Sequence, residues 1–247
     1  MLGGLLTDKA HMDTNSSFME RYLTPIAVLL GALILALAYV YGHGTSGTAG
    51  TGTTGTQPAA TVDIKNVKTD GDPFIGDPNA PVTMAFWFDY QCPFCKQFDT
   101  TVTTQLYTNY VKTGKLRIVF KDFQFLGQDS LAAAEFARGV WELYPDQFYT
   151  LYQAMFAAQD QEGDQGFCDQ ASIVTMTKAQ VPGVDADKVV ALVAEKKSAY
   201  DAAIKADYDD GTSMGVNGTP AMIIGTQLLS GAQQYASVTA LIDAQLK

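Results

Sequence analysis

Val82-Thr83-Met84-Ala85-Phe86-Trp87-Phe88-Asp89-Tyr90-Gln91-Cys92-Pro93-Phe94-Cys95 is the stretch on which the reading of this chain turns. Its first seven residues are apolar at nearly every position, the pattern of a strand covered on both faces. A helix is predicted from Pro93 to about Tyr110, because Cys95, Phe98, Val102 and Leu106 recur at three- and four-residue steps. Gly114 closes the connection, and Leu116–Phe120 reads as a second strand. Strand, helix and strand at this spacing make a βαβ unit.

Working outward, Asp72-Pro73 and Asp77-Pro78-Asn79-Ala80-Pro81 are turn signals that deliver the chain into Val82, and the folded domain is expected to begin near Asp63. Downstream the pattern turns helical. Asp129 or Ser130 is the expected cap of Leu131–Tyr144, with helices at Phe148–Ala157 and Gln170–Ala179 to follow. A longer helix is predicted from Asp185 to about Asp210, stopped by Gly211. Ala221–Ile224 and Gln227–Leu229 then read as a short hairpin around Gly225-Thr226, and a last helix runs from about Gln234 to Leu246. The order is βαβ, helical block, ββ, α.

Cys92 and Cys95 carry the chemistry. Residues three apart on a helix hold their side chains about 5–6 Å apart, within disulfide range. Cys92 falls at the helix cap, where free N–H groups and the positive end of the macrodipole favour a thiolate. Pro93 suits the first helical position, since its missing N–H has no partner to lose. Cys92 is therefore read as an exposed nucleophile and Cys95, on the core-facing stripe one turn in, as the resolving thiol. Exchange would run through a mixed disulfide between Cys92 and a substrate. Gly218-Thr219-Pro220 precedes the first strand of the hairpin. A proline at that point is either in a plain turn or cis, and the cis form would present backbone groups to an extended peptide.

Composition narrows the alternatives. The 247 residues hold 16 Lys and Arg against 26 Asp and Glu, a net charge of −10, and no segment concentrates basic residues. Nucleic-acid binding needs a basic footprint and is disfavoured. Three cysteines are too few for a disulfide scaffold. Both histidines, His11 and His43, precede the folded domain, so a four-ligand Cys/His zinc site cannot be assembled within one copy of it. No metal and no organic cofactor is expected. The third thiol, Cys168, reads as a bystander before it reads as an extra redox group.

The N-terminal quarter decides the compartment. Tyr22–Tyr41 is a twenty-residue run without a charge, long enough to span roughly 30 Å of hydrocarbon. Lys9 and Arg21 precede it and no Lys or Arg follows before Lys65, which places residues 1–21 in the cytoplasm and the folded domain outside. Cleavage after Ala36-Leu37-Ala38 is the alternative, and either reading exports the domain. Residues 42–62 are Gly/Thr-rich and uncharged up to Val62, the composition of a flexible tether with a reach of about 25 Å.

Three stretches together resemble DsbA-type thiol–disulfide oxidoreductases: Gly76-Asp77-Pro78-Asn79-Ala80-Pro81-Val82, Phe88-Asp89-Tyr90-Gln91-Cys92-Pro93-Phe94-Cys95 and Gly215-Val216-Asn217-Gly218-Thr219-Pro220. The resemblance covers roughly Gly71 to Leu246. It is to membrane-anchored or exported prokaryotic members, and it implies an α/β thioredoxin fold over residues 63–247. A helical insertion, about 128–214, would separate the βαβ and ββα halves, with one transmembrane helix at 22–41 preceding them. It also implies that Cys92 is the nucleophile, Cys95 its partner, Pro93-Phe94 the active-site dipeptide and Thr219-Pro220 a cis-proline substrate loop. Implied partners are cysteine-containing exported proteins and a membrane redox protein that recycles the dithiol.

Two positions depart from the pattern. Phe94 stands where the strongest oxidases carry a histidine, and it can give the thiolate neither a hydrogen bond nor a charge. Phe86 stands six residues before Cys92, where thioredoxins keep a buried carboxylate, so the proton acceptor for Cys95 is unassigned. Asp89, the nearest acid in sequence, reads first as a turn-stabilising residue. Phe123, Phe125, Phe148 and Tyr152 either pack the core, the plainer reading, or line an apolar peptide groove. Forming, reducing and isomerising disulfides all fit these residues, with formation preferred. A binding or chaperone module without turnover is the rival from another class.

Overall fold

The computed structural model describes residues 62–159 and 167–247. The predicted cytoplasmic segment 1–21, the membrane helix 22–41 and the tether up to residue 61 lie outside the described residues. Among the described residues no helix is long and apolar enough to cross a membrane.

The sheet is built on β2 (Val82–Phe88), which pairs in parallel with β3 (Leu116–Asp122). Side chains alternate across it. Met84, Phe86 and Phe88 enter the larger core, while Ala85 and Trp87 enter a smaller one on the opposite face with Phe123, Val216 and Ile223. This two-sided burial is what the unbroken apolar run predicts. β4 (Ala221–Ile224) runs antiparallel to β2 and continues into β5 (Gln227–Ser230) across the tight turn at Gly225. On the other edge β1 (Phe74–Ile75) pairs antiparallel with β3, giving the order β1-β3-β2-β4-β5.

Between β2 and β3 the chain forms one continuous helical rod, α1, made of Pro93–Phe98, Asp99–Thr103, Thr104–Leu106 and Tyr107–Val111. The second and fourth segments are wide turns, seen in the i→i+5 bonds from Thr104 N–H to Asp99 O and from Lys112 N–H to Tyr107 O. Cys95, Phe98, Val102 and Leu106 are all buried, as their spacing predicts. The helical insertion comprises α2 (Gln128–Leu143), α3 (Phe148–Ala158), α4 (Gln170–Gln180) and α5 (Ala186–Ser213), and α6 (Tyr235–Gln245) closes the chain. The thioredoxin-like fold with a helical insertion is thus the architecture expected from the sequence.

Several boundaries differ. β1 falls within a stretch that reads as turns, because two residues carry too little pattern to register as a strand. β3 extends two residues past Phe120 to Lys121 and Asp122. Their charges are buried against Asp72, Arg138 and Asp207 rather than exposed in a turn. α2 begins at Gln128 with Gly127 in the cap position, two to three residues ahead of the expected Asp129 or Ser130 caps. Ser130 is fully buried and its hydroxyl donates to Gln124 Oε1 at 3.0 Å instead.

Gly211 reads as the stop of α5, yet the helix runs on to Ser213. The glycine serves close packing: a β-carbon there would lie 2.5 Å from Trp87 Nε1, whose N–H donates to Asp207 O at 3.0 Å. Of the four aromatic residues that could line a groove, Phe123, Phe148 and Tyr152 are core residues and Phe125 alone is exposed.

Candidate active site

The turn Asp89–Cys92 hands β2 to α1 and is held from within. Asp89 Oδ1 accepts from Gln91 N–H at 2.9 Å, and its Oδ2 accepts from Phe125 N–H at 3.0 Å and Leu126 N–H at 3.2 Å. The carboxylate therefore ties the active-site turn to the loop after β3, the turn-stabilising role read from the sequence. Burial raises its pKa against those hydrogen bonds. Gln159, at the end of α3, reinforces the turn from the insertion side: its Nε2 donates to Tyr90 O at 2.7 Å and to Cys92 O at 3.2 Å. Lys96 Nζ donates in turn to Gln159 O. No local motif announces Gln159, because its partners lie far off in sequence and are backbone carbonyls.

Cys92 caps α1, with φ −73° and ψ 117°, and Pro93 takes the first helical position. Its carbonyl accepts from Cys95 N–H at 3.0 Å and Lys96 N–H at 3.2 Å. Both sulfurs are thiols in this structure. The Cys92 pKa is lowered from 9.0 to about 6. The Cys95 thiol contributes most by hydrogen bonding to it, burial opposes, and the Thr219 side chain and the N–H groups of Cys95 and Phe94 add to the lowering. Cys95 is fully buried and its pKa is pushed far up, first by burial and then by its bond and proximity to Cys92. One thiol is set to ionise and the other to keep its proton.

Thr219-Pro220 is cis and lies across Cys92, whose Sγ is 3.4 Å from Thr219 O. This contact revises one expectation. The cap position predicts an exposed Cys92, but only 4 % of its surface is open, because the Thr219–Pro220 loop folds over the sulfur. Phe94 is the open face of the dipeptide at 60 % exposure. Phe86, in the position of the missing carboxylate, is fully buried and packs on Phe98 with ring centroids 5.3 Å apart. Cys168 is fully buried in the main core, where its charge would act on the Tyr90 hydroxyl.

A sheet of this topology, a helix capped by a low-pKa cysteine, a buried second thiol and a cis-proline loop against the first define a thioredoxin-fold thiol–disulfide oxidoreductase. The family model described as Thioredoxin matches residues 68–244, and the chain belongs to that family.

Among known proteins the chain is similar to disulfide bond formation protein D of Bacillus subtilis, 24 % identical over 182 residues covering 72 % of this chain and 78 % of the relative. The probable disulfide bond formation protein D of Bacillus anthracis is 25 % identical over 177 residues, covering 70 % and 77 %. Among solved structures, oxidised BdbD from Bacillus subtilis superposes with a TM-score of 0.67 at 21 % identity, covering 76 % of this chain and 98 % of that one. The thiol–disulfide exchange protein α-DsbA2 from Wolbachia pipientis gives 0.63 at 25 % identity, covering 73 % and 90 %.

Proposed function

We propose that this oxidoreductase forms disulfides in cysteine-containing exported proteins, with Cys92 as the attacking and attacked sulfur and Cys95 as its resolving partner. The observation that carries the reading is the split between the two thiols, one lowered to about 6 and the other raised far above its ordinary value. A substrate thiolate attacks Cys92 of the oxidised pair, and the Cys92–Cys95 bond breaks with its electron pair passing to Cys95. The substrate's second thiolate then attacks the mixed disulfide, which leaves the substrate oxidised and the enzyme a dithiol. A stabilised Cys92 thiolate makes Cys92 a good leaving group in that second step. Thr219 and Pro220 are the substrate-facing loop in this scheme, and Pro93-Phe94 is the dipeptide that tunes Cys92. Residues 22–41 anchor the domain, with the N-terminus cytoplasmic, the catalytic domain outside and a membrane redox protein recycling the dithiol. The relatives' names support disulfide formation as the direction.

The test is refolding of reduced ribonuclease by the oxidised protein beside insulin reduction by the reduced protein, with iodoacetamide mass spectrometry across a redox titration. Oxidative refolding that is lost in Cys92→Ser is the expected result. Equal activity of wild type and Cys92→Ser, or a Cys92 that never alkylates in reduced protein, overturns the reading.

A further inference from the structure

Every thiol–disulfide cycle must protonate and deprotonate the buried thiol, and in this chain Phe86 stands where thioredoxins keep a buried carboxylate. One turn along α1 from Cys95 lies Asp99, whose backbone N–H donates to Cys95 O. It is 5 % exposed, and its Oδ1 is buried without a hydrogen-bond partner. A buried carboxylate oxygen left in that state is costly, so its presence needs an explanation. The groups that interact with it are tyrosines. Tyr152 and Tyr149 reach it from α3, Cys95 precedes it on α1, and Tyr90 from the active-site turn packs on Tyr152 with ring centroids 6.4 Å apart.

The hydroxyls of Tyr90, Tyr149 and Tyr152 are likewise buried without partners among the described residues. Tyr152 feels both Asp99 and Cys95 electrostatically, so its hydroxyl lies within reach of the carboxylate and the thiol without bonding either. The hydroxyl stabilises the Asp99 carboxylate without closing a full hydrogen bond. On the far side Tyr149 packs on Tyr107, centroids 4.5 Å apart, and both line an open cleft of about 400 Å³ with Trp141 and Asp146. Cys95, Tyr152, Asp99 and Tyr149 are thus a group of neighbouring buried polar side chains, and Tyr149 brings that group to an open cleft.

We propose that Asp99, acting through the Tyr152 hydroxyl, stores and returns the proton of Cys95, and that it exchanges with solvent through the Tyr149 cleft. The inference rests on Cys92 and Cys95 being the exchanging pair. When substrate attacks Cys92, Cys95 leaves as a thiolate and takes a proton from Tyr152 Oη, which is refilled from the protonated Asp99. When Cys95 resolves a mixed disulfide, its S–H bond breaks and the proton passes to Tyr152 Oη as the tyrosine's own proton moves to the Asp99 carboxylate. The Cys95 sulfur then bonds Cys92, and the substrate cysteine departs with the electron pair of the broken S–S bond. Tyr152 has its pKa raised far above 10 by burial, so it hands protons on and never stands as a phenolate. Burial raises Asp99 to about 6, where it can both accept and give a proton near neutral pH.

The experiment loads Cys92 as a mixed disulfide with 2-nitro-5-thiobenzoate and follows release of the coloured thiol by Cys95 between pH 5 and 9. The expected wild-type rate rises through an ionisation near pH 6 and then levels. Asp99→Asn is expected to lose that limb, with release at pH 7 slowed about a hundredfold, while alkylation of free Cys92 keeps its pH profile. Tyr152→Phe slows release about tenfold or more and keeps the limb. An Asp99→Asn rate and profile matching wild type overturn the proposal. So does a wild-type rate that climbs without levelling to pH 9, a measurement that needs no variant to fold. Failure of the mixed disulfide to form on Cys92 overturns the underlying assignment instead, and with it the relay.

Discussion

At Cys92 the helix cap, the Cys95 thiol and the Thr219 side chain favour the thiolate, while burial opposes them, and the outcome is a pKa of about 6. Thiolate stabilisation in the reduced form makes a disulfide more oxidising. Thioredoxin, with a thiol near 7, sits at about −270 mV, and DsbA, near 3.5, at about −120 mV. Glutathione equilibration of this protein should therefore give a potential between those two, and a value below thioredoxin's would contradict the assigned pKa. Phe94 supplies only its backbone N–H to the sulfur. Phe94→His should lower the Cys92 pKa by about one and move the potential toward the oxidising end, read from the pH dependence of iodoacetamide alkylation and from the same equilibration. No change in either would show that an imidazole at this exposed position does not reach the thiolate. The sequence showed Cys92, Cys95, Thr219 and Pro220 because their spacing along the chain is itself the signal. It did offer a clue to Asp99, which lies four residues after Cys95 on the buried stripe, where an acid is out of place. Gln159 offered none, since its role exists only once α3 has packed against the turn.

Elements were legible where one periodicity ran unbroken and were misjudged where a single residue had two possible meanings. β2 follows from its unbroken apolar run, α1 from three- to four-residue spacing, and the β4–β5 hairpin from two short runs around Gly225-Thr226. Gly211 shows the other case. A glycine near a helix end signals termination by its freedom, but here it lies within α5 because Trp87 needs the space of its side chain. The same logic hid the end of β3, where the charges of Lys121-Asp122 end the apolar run but belong to a strand end neutralised by distant partners. Gly211→Ala should consequently destabilise the domain by about 1–3 kcal/mol, because a β-carbon 2.5 Å from the Trp87 indole must displace it. Urea unfolding monitored by tryptophan fluorescence measures this, with the Cys92 alkylation rate unchanged. A variant as stable as wild type would show that Trp87 does not need the space of that glycine.

Across the whole molecule, buried carboxylates dominate the electrostatics of stability. Asp72, Asp122 and Asp207 share Lys121 and Arg138, with Arg138 Nε 2.6 Å from Asp122 Oδ2 and Nη2 2.5 Å from Asp207 Oδ2. Three anions against two cations leave one carboxylate in excess, and burial with its two acidic neighbours raises Asp207 from 3.8 to about 7 despite the cations. Burial likewise raises Asp99 from 3.8 to about 6. In the unfolded chain both lose their protons near pH 4, whereas the folded domain holds them to about pH 6 and about pH 7. The folded state therefore binds more protons throughout that window, and its stability is fully present below pH 4 and declines as pH rises toward 7. Reduced Cys92 has the opposite sign, since its lowered pKa favours the folded state increasingly above pH 6, so the measurement belongs in a Cys92→Ala/Cys95→Ala background. There the urea unfolding free energy should fall by about 2–4 kcal/mol between pH 5 and 7.5, because each proton held only by the folded state costs about 1.4 kcal/mol for every tenfold drop in proton concentration. Asp99→Asn should flatten the part below pH 6 and Asp207→Asn the part reaching to pH 7. The two substitutions touch separate networks, so their effects should add. A stability that stays flat across this window would mean that both carboxylates ionise in the folded protein as readily as in the unfolded chain. That outcome would remove the proton store on which the Cys95 relay depends.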